Sequence, residues 1–184
     1  MMKTDKEKID TFLKWRKSSI DDLSCGKINK DDFLDLNLKF LKKLDLKPFC
    51  MPENISQALY NYQYYNILAK ASNDTSLKFK FVPKKKKKYK ELINKRENYY
   101  SLKDKATSFL ISKVDIDTIF CYYIDLKSRR LKGKLFEICI TSIPDCILHS
   151  MNDDILKEIK KKNRFTDEIK KSLIDSYVNK TYKL

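Results

Sequence analysis

The chain has almost no glycine, two residues in 184. Two glycines cannot build a G-x-x-x-x-G-K-[ST] phosphate loop or a G-x-G-x-x-G turn, so the common nucleotide cradles are excluded. There is a single histidine, His149, which excludes a two-histidine metal site or acid–base pair within one chain. The five cysteines (Cys25, Cys50, Cys121, Cys139 and Cys146) are odd in number and show no C-x-x-C spacing. Neither a disulfide framework nor a zinc site is indicated, and reduced thiols in the cytosol are expected. No apolar run approaches the roughly 18 residues that suggest a membrane span. The start, Met1-Met-Lys-Thr-Asp-Lys-Glu-Lys8, has no apolar segment behind its charges, so no secretory signal is visible. The expectation is a cytoplasmic protein with no cofactor and no membrane contact.

Apolar residues make up 42% of the chain, with 10 Phe and 11 Tyr, enough for a core and against global disorder. At this length one domain, residues 1–184, is expected. It would divide into a helical hairpin (1–50), a second helix pair (53–113), and a sheet with C-terminal helices (118–184).

The net charge is +15, and the cations are 35 Lys against 5 Arg. An AT-rich genome favours Lys, Asn, Ile and Tyr through its codons, so part of this excess can be compositional. Its distribution argues otherwise. Residues 78–105 hold 12 basic and 3 acidic side chains, a net +9, and codon bias alone would spread these more evenly.

Helical signals dominate the first two thirds. Thr4 and Glu7 fit a capping box for a helix over Asp5–Ser24, and Gly26 sits where a left-handed end belongs. Ile9, Phe12, Leu13, Ile20 and Leu23 form its apolar face; Trp15 lies off that stripe and either packs under the next helix or meets a partner. Asn29 caps a second helix, which is apolar over a broad arc. A third spans about Glu53–Ser72 and contains Tyr60-Asn-Tyr-Gln-Tyr-Tyr-Asn66. Ile55, Ala58, Leu59, Tyr62 and Ala69 make one stripe; Tyr60, Tyr64 and Ile67 make another. This helix is either sandwiched between neighbours or presents tyrosines outward to bases or a protein. Lys78-Phe-Lys-Phe-Val-Pro83 alternates and reads as an edge strand or a linker. A long fourth helix follows, about Lys84–Lys113. Its lysine-rich first turn opposes the helix dipole and should fray unless an anion is present.

Thr118–Ser150 alone reads as sheet. Thr118–Lys127 is β-branched and aromatic, Lys134–Ser142 alternates, and Cys146–His149 is a short third run. Gly133 and Pro144-Asp145 mark the turns between them. The fold class expected is α+β: four N-terminal helices, a three-stranded antiparallel meander and two C-terminal helices, beginning near Asn152 and at Thr166.

Chemistry is sparse. Asp125-Leu-Lys127, with Asp115 or Asp117 upstream, resembles the acid-x-Lys arrangement by which one nuclease class holds a divalent metal. Here a hairpin tip follows where that class has a helix. A Cys–His nucleophile pair of Cys146 or Cys121 with His149 is conceivable, but no nucleophile elbow supports it. The stronger signals are cationic: Lys84, Lys85, Lys86, Lys87, Lys88, Lys90, Lys95 and Arg96 on the fourth helix, and Arg129, Arg130 and Lys132 at the hairpin tip. A lysine excess suits phosphate backbone rather than base edges. Tyr60 and Tyr64 are candidate partner contacts.

The motifs Tyr60-Asn-Tyr-Gln-Tyr-Tyr-Asn66, Lys103-Asp-Lys-Ala-Thr107, Leu131-Lys-Gly-Lys-Leu-Phe-Glu137 and Lys171-Ser-Leu-Ile-Asp175 resemble a family of small uncharacterised proteins of low-GC Firmicutes. The resemblance covers most of the chain, has no assigned activity, and implies one intact cytosolic domain. Three functional expectations stand. The first is a non-enzymatic nucleic-acid-binding protein reading RNA or DNA backbone. The second is a protein-interaction module, such as an adaptor, inhibitor or phage-type antagonist meeting an acidic surface. The third is a metal-dependent nuclease.

Overall fold

In a computed structural model, the described residues are 4–113 together with 161, 166–168 and 171. The first of these segments is a succession of helices: α1 (Asp5–Ser24), α2 (Lys30–Leu44), α3 (Ile55–Leu77), a short 3-10 turn (Pro83–Lys85) and α4 (Lys86–Lys113).

The helix ends follow local chemistry. The Thr4 hydroxyl accepts from the Glu7 N–H at 3.3 Å and the Glu7 carboxylate accepts from the Thr4 N–H at 2.8 Å. This reciprocal box satisfies two donors that a helix start leaves open. At the other end Gly26 adopts φ 76°, while Lys27 N–H donates to Asp22 O (2.9 Å) and Gly26 N–H to Leu23 O (3.2 Å). That paired closure needs a left-handed residue, which glycine supplies without a Cβ clash. Asn29 caps α2 by accepting from Asp32 N–H at 2.9 Å, and Asn54 caps α3 by accepting from Gln57 N–H at 3.0 Å. The junction before α3 is pinned by one side chain. Asn61 Oδ1 accepts from Phe49 N–H at 2.9 Å and its Nδ2 donates to Phe49 O at 2.7 Å.

α3 is the centre of the packing. One face, through Ala58, Leu59 and Tyr62, meets Ala106 and Leu110 of α4. The other, through Tyr60 and Ile67, meets Ile9 and Phe12 of α1 and Leu41 of α2. Both stripes expected on this helix are therefore covered, and the sandwiched alternative holds. Ile55 departs from its stripe and is exposed. Trp15 packs on α2, its ring stacked on Phe40 at 4.0 Å and 10°. A row of aromatics runs onward from Phe12 to Tyr60 (5.2 Å, edge to face), Tyr64 (5.8 Å) and Tyr65 (5.5 Å), ending at Tyr99 of α4 (6.5 Å).

The α+β expectation is corrected: the described residues form helices and no strand, an all-α arrangement. Helices cover one another's apolar faces here, so no sheet is needed to complete the α3 core. Where the described chain alternates, at Lys78–Pro83, it forms a turn and then the 3-10 segment. No strand among the described residues is there for this segment to pair with, and Pro83 removes a donor from the ladder. α3 also runs to Leu77, beyond the Ser72 end expected, because its polar last turn bonds internally: Ser76 Oγ donates to Asn73 O at 2.7 Å. The meander over 118–150 lies outside the described residues. At the C-terminal helices expected, Lys161, Asp167, Glu168 and Lys171 are helical.

Candidate functional site

α3 and α4 form an antiparallel hairpin, and its tip gathers the lysines. Residues 78–90 contain eight lysines and no acidic residue. Consecutive backbone bonds set the tip's shape: Phe79 N–H donates to Ser76 O (2.9 Å), Lys80 to Leu77 (3.3 Å), Val82 to Phe79 (3.1 Å) and Lys85 to Val82 (2.9 Å). Pro83 opens the 3-10 turn, where its missing N–H costs nothing. No side chain caps this start; the residue before Pro83 is Val82, whose side chain carries no acceptor.

Lys84, Lys85, Lys86, Lys87, Lys88 and Lys90 are all exposed. None is in an ion pair with a described carboxylate. Successive residues in helical backbone turn by roughly 100–120° about the axis. Five consecutive lysines must therefore ring the hairpin end, and no flat surface can touch them all. Lys88 lays its ammonium over the Phe79 ring at 4.6 Å, and Lys80 over Phe81 at 5.2 Å. Phe81 is 86% exposed, with Leu77 at 54% and Val82 at 41%. The sequence reading stopped at the lysines and missed this apolar apex; its signal was the pair of aromatics inside a basic run.

Farther along α4, Lys95 is exposed and Arg96 is half-buried. Arg96 is already engaged: Nη1 donates to Asn73 Oδ1 of α3 at 2.9 Å, Nε donates to Glu97 Oε1 at 2.7 Å, and the guanidinium pairs with the Glu97 carboxylate. It ties the hairpin together and leaves the cationic set. Tyr60 leaves the list of partner contacts as well. It is fully buried, and its hydroxyl donates to Leu46 O at 2.7 Å; burial holds its pKa well above the tyrosine range. Tyr64 is half-buried in the aromatic row. Arg129, Arg130, Lys132, Asp125, Lys127, Cys121, Cys146 and His149 lie outside the described residues. Among the described residues no group of His, Cys, Asp or Glu is arranged to hold a metal, and no helix is long and apolar enough to cross a membrane. Cys25 and Cys50 are free and exposed.

A second cationic feature is internal. Arg16 is 1% exposed. It lies on the α1 line Phe12–Arg16–Ile20, and that spacing is the signal the sequence reading missed. Nη1 donates to Asn37 Oδ1 at 2.6 Å and Nε donates to Gln63 Oε1 at 3.4 Å. The guanidinium lies 4.7 Å from the centre of the Phe33 ring. Its partners are neutral amides and a ring, with no described carboxylate. Burial pushes its pKa down to about 10. Lys70 reaches solvent, yet its ammonium is held below the lysine range. Desolvation comes first, then the like charges of Arg16, Lys103 and Lys30.

Fold and site together define, among the described residues, an all-helical protein with a lysine-ringed hairpin tip. The chain belongs to the family of unknown function DUF6648, which matches residues 2–182. Comparison with curated proteins and with solved structures finds no match.

Proposed function

We propose that the protein binds nucleic acid without catalysing a reaction, holding phosphates with the lysines at the tip of the α3–α4 hairpin. We place it in the cytoplasm of a low-GC Firmicute, encoded by the cell or by an infecting phage. The observation that carries this is the exposure of Lys84–Lys88 and Lys90 without a described carboxylate partner. Eight lysines held within 13 residues repel one another, and a polyanion relieves that repulsion while releasing its own counterions. Lysine, a point charge, suits backbone more than base edges.

Binding should therefore fall steeply with salt. Titration of a labelled RNA by anisotropy should give a linear loss of log affinity with log salt. The variant Lys84→Glu/Lys86→Glu/Lys87→Glu should bind at least about 100-fold more weakly, with the slope reduced by about 2 for three lost contacts. Absence of any salt-sensitive binding to RNA or DNA would remove the proposal.

A protein partner with an acidic face is the second reading. It draws on the same cations and on exposed Met51 (82%) and Ile55 (36%) at the α2–α3 junction. Partners that survive nuclease treatment in a pull-down, and are lost in Met51→Asp, would favour it.

A further inference from the structure

Resting on the nucleic-acid reading, we infer that the hairpin tip takes an unpaired strand, with Phe81 as the platform on which a base stacks. Three observations converge. Phe81 is 86% exposed at the apex of the most basic stretch of the chain. A phenyl ring has no hydrogen-bonding group, so what it offers a polyanion is its face, and only an unpaired base has a free face to lay on it. A duplex keeps its base faces inside the stack and would leave the ring in water.

The second observation is the arrangement of the cations. Lys84–Lys88 circle the hairpin end, so a straight duplex would engage one flank and leave the other lysines unused. A single strand is flexible enough to curl around the tip. The third is the backbone. The four short-range bonds from Phe79 to Lys85, with Pro83, fix the backbone from which the ring and the lysines project. Little ordering is then required of the protein when a base arrives. Lys80 holds its ammonium over the Phe81 ring at 5.2 Å, so a stacking base takes the ring's other face.

A membrane surface fits less well. Interfacial helices bury a broad apolar face. Here the exposed apolar side chains, Leu77, Phe81 and Val82, are confined to the turn, while Tyr89, Leu92 and Ile93 of α4 are half-buried and the exposed side of its start is lysine.

The test compares labelled oligouridylate of about 16 nucleotides with an RNA duplex of equal length. Phe81→Ala should lower the ratio of single-strand to duplex affinity about tenfold. Phe81→Trp should retain single-strand binding and show fluorescence quenching beyond that of the parent's Trp15. At 86% exposure neither change disturbs the core. Loss of all binding in the triple lysine variant, with an unchanged ratio in Phe81→Ala and no added quenching in Phe81→Trp, would overturn stacking and leave the phosphate reading standing. No binding by the parent to either RNA would overturn both. A blue shift of Phe81→Trp on phosphatidylserine vesicles, without quenching by oligouridylate, would overturn the strand in favour of lipid.

Discussion

A single buried side chain tests how this interior handles charge. Arg16 gives up its hydration and receives two amide oxygens and a ring face in return. Its pKa near 10 records the cost of that burial. Such a group is most vulnerable when one partner is removed, because a charged donor is then stranded away from water. Asn37→Ala should therefore lower the unfolding free energy by about 2 kcal/mol in urea titration. The double variant Arg16→Met/Asn37→Leu removes donor and acceptor together and should recover most of that loss. A double variant less stable than Asn37→Ala alone would show that the pair is worth more than its apolar replacement. The sequence reading passed over Arg16, although Phe12, Arg16 and Ile20 fall on one line of α1. Its role was not legible, since nothing local reveals that Asn37 and Gln63 come from two other helices to meet it.

At the level of elements, the caps were the most readable feature. Thr4 with Glu7, Asn29 and Gly26 each mark a boundary by chemistry that acts within a few residues, and α1 and α2 begin where those signals put them. The α3 end was misread because Ser72-Asn-Asp-Thr-Ser76 looks like a breaker. In place, Asn73 receives both Ser76 Oγ–H on its carbonyl and Arg96 on its side chain, and the second of these is a tertiary contact. The strand-like Lys78–Pro83 failed for a related reason, since alternation without a pairing partner specifies nothing. One end is chemically unfavourable. α2 finishes on Asp45 at φ 47°, the left-handed region, where a Cβ crowds the backbone. Lys8 donates to the Asp45 carbonyl at 3.1 Å, a bond that does not depend on the side chain. Asp45→Gly should thus raise stability by about 1 kcal/mol, read as a higher urea midpoint at unchanged m. A lower midpoint would mean that the carboxylate makes a contribution larger than the strain.

Across the whole molecule, the charge distribution led to the expectation of a polyanion partner, and the fold refines which cations are available. Lys84–Lys88 and Lys90 stay at the surface, where their ammonium groups keep the hydration that burial would remove. Arg96 is drawn inward by Asn73 and Glu97, an outcome fixed by how α3 and α4 lie together and invisible in the sequence. The same packing sets the response to alkali. Burial raises the pKa of Tyr60, Tyr64, Tyr65 and Tyr100, whereas the unfolded chain ionises tyrosine near 10. Above about pH 10 the folded state then holds more tyrosine protons than the unfolded, so stability falls as pH rises. Arg16 and Lys70 act in the opposite sense. Their lowered values mean that the unfolded chain holds those protons longer, which favours folding as pH climbs past 10. The large Tyr60 shift is joined by the other tyrosines and by exposed Lys27 and Lys39, raised by their bonds to Asp22 and Asp35, so urea midpoints should drop between about pH 9.5 and 11. Tyr60→Phe loses its bond to Leu46 O at every pH, yet should show a shallower drop, because one of the titrating tyrosines is gone. A midpoint that holds steady or climbs over that interval would mean that the arginine and lysine dominate and that the tyrosine row is more hydrated than its packing indicates.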